Sequence, residues 1–356
     1  MNLPSLPLKD GALYIDASGW IENLCTCHRK LQYSQLNQRI KADDAVALTF
    51  GTADHISKEL RYQVYGTEKV TDQYWSDLGV LLTHHFSANP TPLDDWRNQN
   101  WAMELMRHYL KRYSTEEFSL LEYDQPQPCS WCHGGGSLLW NPTKIKCPFC
   151  NGSGKVKRMV ELTFAVMLYD HTTLCGYLIP IIYSGRIDLP ISLHGKLFIT
   201  DHKTSSFMGA TVFDQLHMSD QQKGYCWAFQ ETTGQKVVGY MPNVTRSKEP
   251  PQYVLEGKEF RGKSQSPEKW WEESFQRDYH YLGEGELEEW KNNTIAKMEE
   301  FFWNYNRGYL PMEHTACTRF GKCQYYDVCS IYPPSERSKF LFSELFKDNT
   351  WSPLHL

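Results

Sequence analysis

Two apolar, β-rich runs that each end in charge restrict this chain more than anything else in it. TLCGYLIPIIYSGRIDL (173–189) closes on Gly185-Arg186-Ile187-Asp188-Leu189, and KLFITDHKT (196–204) carries Thr200-Asp201-His202-Lys203. A turn around His194-Gly195 lets them pair as a hairpin. Strand period two then puts Asp201 and Lys203 on one face, and the pairing brings Asp188 beside Asp201. Two carboxylates side by side are costly unless a cation sits between them. Hard oxygen ligands favour Mg²⁺ or Mn²⁺. An ion held this way can activate a water and neutralise charge on a phosphodiester. Lys203 is placed to orient that water or to stabilise the developing negative charge.

Helical pieces join this pair. Gln221 and Tyr225 share one face of a helix predicted over 219–231, opened by Ser219 or Asp220 and closed before Gly234. Gly51 and His55 share a face of a helix predicted over 50–64, and a neutral His55 is a further metal ligand. His84 and His85 compete for that role but lack the local frame. Further helices are expected over 18–40, over 94–112 with Trp101, Leu105, Met106 and Tyr109 on one stripe, from Ser266-Pro267-Glu268, and over 285–306. Strands are expected through 160–203 and at VVGYM (237–241).

At these residues the chain resembles the PD-(D/E)XK nuclease superfamily, in particular its RecB-like branch. That pattern runs Gly-x-x-x-His helix, Gly-x-x-Asp strand, Asp-x-Lys strand, Gln-x-x-x-Tyr helix. Gly51 to His55, Gly185 to Asp188, Asp201 with Lys203, and Gln221 with Tyr225 match it in order. The resemblance implies that His55, Asp188 and Asp201 bind the catalytic metal and that Lys203 serves the attacking water. Gln221 and Tyr225 would position the active site and the strand. Glu161, opening VELTF, matches an acidic position common in the branch but is given no catalytic role. The implied fold is α/β, a restriction-endonuclease-like mixed sheet flanked by helices. The implied activity is that of a metal-dependent DNA exonuclease on single-stranded ends, in recombination, repair, replication, or phage- or CRISPR-linked processing. The alternative is a nucleic-acid binding or assembly protein on a nuclease scaffold with little turnover.

The chain has eleven cysteines and no basic N-terminal region followed by an apolar stretch. No secretory signal is therefore expected, and the expected location is the cytoplasm of a bacterial or phage-infected cell. Clustered cysteines there bind metal more often than they form disulfides. No apolar run approaches the roughly 18 residues that span a bilayer. The net charge of −5 confines any nucleic-acid contact to a local patch.

Cys129-Ser-Trp-Cys132 and Cys147-Pro-Phe-Cys150 stand fourteen residues apart, a two-knuckle pattern for structural Zn²⁺. They define a small zinc-ribbon-like insertion at 129–158, and CPFCNGSGK resembles the zinc repeats of DnaJ-type chaperones. Lys144, Lys146, Lys155, Lys157 and Arg158, with no acidic residue, and the rings of Trp131, Trp140 and Phe149 suit single-stranded nucleic acid. Protein docking through the module is the other expectation. Cys317, Cys323 and Cys329 near one end of the chain, with Cys27 near the other, suit an iron–sulfur cluster or zinc. Their resemblance to AddB-type and CRISPR-associated exonucleases implies a 4Fe–4S cluster, with Cys25 as the alternative to Cys27. The expected division is 1–128 (helical part), 129–158 (zinc module), 159–260 (nuclease core) and 261–356 (C-terminal helices and cluster cysteines). Residues 257–264, GKEFRGKS, match the Walker A pattern. Tyr253-Val254-Leu255 would have to be the strand before it, while the helix cap comes only at Ser266, so a solvated loop is expected.

Overall fold

The computed structural model describes residues 3–42, 46–140, 143–259, 266–319 and 321–349, with the backbone alone at 139, 140 and 143. Six strands carry the core: β1 (Leu13–Ile15), β2 (Leu162–Thr172), β3 (Leu178–Ile187), β4 (Leu189–Leu193), β5 (Lys196–Ser205) and β6 (Val237–Arg246). β3 lies between β1, which runs parallel to it, and β2, which runs antiparallel. β4 and β5 form the expected hairpin, and β6 runs parallel to β5. The turn residues His194 and Gly195 both have positive φ, 50° and 77°, as a tight hairpin turn of matching twist requires. Asp188 parts β3 from β4, so one extended run leaves a three-stranded sheet and enters a six-stranded one. Short strands at Ser119–Leu120, Phe275–Arg277 and His280–Tyr281 complete the second sheet. The result is a mixed α/β fold with both parallel and antiparallel pairs.

Five longer helices flank the sheets: α1 (Val46–Leu60), α2 (Asp72–Ala88), α3 (Gln99–Arg112), α4 (Asp220–Thr233) and α5 (Glu286–Asn306). One core packs α4, α5 and the helical turns of 17–36 on β1–β3, through Trp20, Ile181, Tyr183, Trp227, Trp290 and Phe301. A second joins α1, α2 and α3 through Phe50, Tyr74, Leu78, Leu105 and Tyr109, and takes in the four knuckle cysteines. Ser219 caps α4 and Gly234 ends it with φ 69°, as expected. The helix expected from 94 begins at Gln99, because the Asn98 side chain caps the Trp101 amide at 3.1 Å. The helix expected over 18–40 is broken at Cys27, whose backbone is extended, and gives way to a strand at Arg39–Lys41. α2 is an element that the sequence reading passed over.

Glu122–Pro128 pairs antiparallel with Lys155–Arg158, so the cysteine module leaves and rejoins its host through a ladder. The Met159 amide donates to Leu121 O at 2.9 Å just beyond it. Residues 253–255 lie in a short helix, Gln252–Leu255, not in the strand a phosphate-binding loop needs. Residues 260–265 of the Walker-like segment lie outside the described residues. Among the described residues, no helix is long and apolar enough to cross a membrane.

Candidate active site

The register Leu189↔Thr200 sets Asp188 opposite Asp201. Asp188 is 7% exposed, and its Oδ2 accepts the His202 amide at 2.7 Å. α1 approaches β5 closely at Gly51, where an added Cβ would stand 3.2 Å from Thr204 Oγ1. One turn on, His55 reaches the patch, with Nδ1 3.6 Å from Asp188 Oδ2. Glu161 comes from the start of β2. Its φ is +54°, a left-handed backbone that L side chains rarely adopt, and its amide donates to Asp188 O at 2.9 Å. Ligand atoms of His55, Glu161 and Asp188 all lie within 4.8 Å of one another. One small cation with bonds of about 2.1 Å places its ligand atoms roughly 3–4 Å apart, so the three side chains fit a single divalent ion.

Asp201, 1% exposed, stands on the other side of this group. Lys203 Nζ lies 3.0 Å from its Oδ2, and Gln222 Nε2 donates to the same oxygen at 2.8 Å. Gln221 bridges the set: its Oε1 accepts from Lys203 Nζ at 2.9 Å, and its Nε2 donates to the Tyr225 hydroxyl at 2.9 Å. Tyr225 is buried, so it steadies Gln221 rather than lining an open path. Gly185 permits this packing, because a Cβ there would stand 2.7 Å from the Phe164 ring and 3.4 Å from that of Tyr225. His55 and Lys203, with side chains 33% and 31% exposed, give the site its face to solvent.

The electrostatics are those of a patch short of positive charge. Burial, then the charge of Asp188, hold the Glu161 carboxyl well above the usual carboxylate range, although Arg186 Nε stands 2.6 Å from its Oε2. Burial also raises Asp201, with Lys203 opposing and Asp188 adding. Burial would lower the Lys203 ammonium, but Asp201 and Asp188 outweigh it and the net direction is up. A divalent ion would relieve the carboxylates directly.

Sequence reasoning thus placed His55, Asp188, Asp201, Lys203, Gln221 and Tyr225 in one neighbourhood. It left Glu161 without a role and missed Gln222, Arg186 and Glu59. Glu59, one turn beyond His55, is buried, and its Oε1 accepts the Trp131 indole N–H at 2.5 Å. The charges of Arg186 and Asp188 act on it in opposite directions.

Cys129, Cys132, Cys147 and Cys150 are buried, with all four Sγ within 4.8 Å. The Cys129–Cys147 and Cys132–Cys150 separations are 3.8 and 3.6 Å. An ion with Sγ bonds of about 2.3 Å in a tetrahedron needs edges of about 3.8 Å. The Gly136 and Gly154 amides donate to Cys132 and Cys150 Sγ at 3.2 and 3.3 Å, as thiolates favour. The expected stacking surface is corrected here. Phe149 is 2% exposed, and the half-buried Trp131 stacks on it at 4.3 Å and 8°, so Phe149 is closed to bases and one face of Trp131 is already taken. Lys157 is paired with Glu122 at 2.6 Å and Arg158 donates to Gln63 O at 2.9 Å, leaving Lys144, Lys146 and Lys155 exposed. The Trp140 side chain lies outside the described residues.

The split quartet converges more loosely. The charges of Cys323 and Cys27 act on Cys317, that of Cys27 acts on Cys329, and the Cys323 amide donates to Cys317 O at 2.9 Å. Cys25 is engaged elsewhere, accepting from Lys297 Nζ at 2.7 Å and donating to Asp220 Oδ2 at 3.3 Å.

Residues 20–330 match the sequence profile of the PD-(D/E)XK nuclease superfamily. Among solved structures, a candidate exonuclease from Eubacterium rectale is similar at 11% identity and a TM-score of 0.43, over 87% of this chain and 88% of that one. No curated protein matches the chain.

Proposed function

The chain belongs to the PD-(D/E)XK nuclease superfamily, and from that premise we propose that it is a metal-dependent exonuclease on single-stranded DNA ends. The observation that carries the reading is the group His55, Glu161 and Asp188 facing the Asp201–Lys203 pair. His55, Glu161 and Asp188 would hold Mg²⁺ or Mn²⁺, which when bound supplies Lewis acidity toward water and phosphate. Lys203, its protons kept by Asp201 and Asp188, brings fixed positive charge to the developing phosphorane. Asp201, itself held by Gln222, pairs with Lys203, and Tyr225 holds Gln221 against the Lys203 Nζ.

Two further groups belong to the proposal. The module's four cysteines would hold a structural Zn²⁺, which their spacing supports. Cys27, Cys317, Cys323 and Cys329 would hold a 4Fe–4S cluster, which is larger than one ion and needs its thiolates further apart. A role in DNA repair or phage-linked processing, in the cytoplasm, accompanies the reading. The test is end-labelled single- and double-stranded DNA with Mg²⁺, Mn²⁺ or chelator. Mononucleotide release that the chelator and Asp188→Ala both abolish is expected. Tight binding of DNA with no cleavage under any of these ions would leave the non-catalytic alternative.

A further inference from the structure

We infer that Trp131 is a positioning residue for the nuclease site, and that the four-cysteine module acts through it to set that site's affinity for its divalent cation. The inference rests on the nuclease reading above. Trp131 sits inside the first knuckle, between Cys129 and Cys132, and stacks on Phe149 inside the second. The four cysteines therefore fix where its ring stands. The indole N–H is spent on Glu59, which shares a face of α1 with His55. Glu59 is buried within the field of Arg186, and Arg186 Nε holds Glu161 Oε2 at 2.6 Å. Arg158, at the module's exit, anchors a second point by donating to Gln63 O.

The coupling thus runs from the knuckles through the Trp131–Glu59 hydrogen bond, then through the charge of Arg186 acting on Glu59, to the Arg186–Glu161 pair. A buried carboxylate cannot go without a donor. Deprived of the indole, Glu59 would turn toward Arg186, whose charge already acts on it, and draw the guanidinium off Glu161. Glu161 would then lose the hold that aims it at His55 and Asp188. The module in this view is more than an inert insertion, because its integrity is felt at the cation site.

The experiment uses the full chain and reads cation binding without turnover. Mn²⁺ affinity is measured by electron paramagnetic resonance, with Asp188→Ala marking the site-specific portion. Trp131→Phe keeps the stacked ring and removes the donor. Its Mn²⁺ dissociation constant should rise about tenfold, the scale of one hydrogen bond to a charged group. Adding Glu59→Gln, whose neutral amide does not compete for Arg186, should bring affinity back to within about threefold of the parent, as coupled neighbours do. The single-versus-double comparison holds even if Trp131→Phe sheds the module's ion, since either loss removes the donor. Parent-like affinity in Trp131→Phe overturns the inference, as does equal weakening in the single and double variants, the mark of a merely structural residue. A parent chain with no Asp188-dependent Mn²⁺ binding overturns the nuclease reading along with it.

Discussion

Glu161 shows how much of the site hangs on single side chains. It holds a left-handed φ beside Asp188, and its carboxyl lies within 4.8 Å of ligand atoms of both His55 and Asp188. Glu161→Gln or Asp188→Ala should cut cleavage by about a hundredfold or more, the scale of one misplaced electrostatic group. Each should also abolish the rise in Tm that Mn²⁺ gives the parent, since binding to the folded state alone stabilises it. Lys203→Met should keep that rise and lose turnover, so calorimetry and cleavage assays separate the two roles. Burial, against the Trp131 bond and Arg186, pushes Glu59 up to about 7 from 4.5. A raised folded pKa gives stability that is complete below pH 4.5 and lost as the pH climbs through 7. Cation-free protein should therefore lose on the order of 3 kcal/mol between pH 4.5 and 8 from this group. Denaturant titrations of Glu59→Gln should show a flatter profile; equal slopes would remove Glu59 as the source. Asp201 and Lys203, or Gln221 and Tyr225, were legible because strand and helix periods act within a few residues. Glu161 meets Asp188 only through the register Leu162↔Ile187, and Trp131 meets Glu59 across 72 residues, so no local spacing announces either contact.

Among the elements, hairpin β4–β5 and helix α4 could be read from the chain because turn and cap chemistry mark their ends. α2 could not, since Gly79 and the β-branched Val80 and Thr83 weaken its propensity. Burial of Tyr74, Leu78, Leu81 and Leu82 against α1 and α3 decides it instead. The cysteine module has its own marks, and its ladder places the natural cut beyond the 129–158 reading. Joining Leu121 to Met159 with a short Gly-Ser link should leave a folded core, because those residues already share a hydrogen bond. Circular dichroism should stay near the parent, while Tm falls as Glu59 loses the Trp131 donor and zinc content falls by one ion per chain. A chain that fails to fold would show that the second core needs Phe149 and the knuckle cysteines.

Over the whole molecule, the two ends of the chain are built into each other. Arg39–Lys41 pairs with Phe346–Asp348, the Arg29 amide donates to Pro311 O, and Tyr33 packs edge-on against Tyr325 at 5.3 Å. Cys27 lies within electrostatic reach of Cys317 and Cys329 in the same region. If a 4Fe–4S cluster sits there, anaerobically purified protein should be brown, and Cys27→Ser or Cys329→Ser should bleach it while Cys25→Ser should not. A colourless parent with a second zinc would convert the site to zinc and leave the nuclease reading untouched. The closure of the ends also fixes an order of events during synthesis. A ribosome adds roughly 5–20 residues each second, so residues 38–42, whose partners lie at 345–349, wait some tens of seconds in the open before those partners emerge. Stalled nascent chains ending near residue 300 should be cut by protease within 38–42, and released chains should not. The newborn protein is thus exposed longest along that early stretch, and a helper that covers it would raise its yield without touching the finished protein.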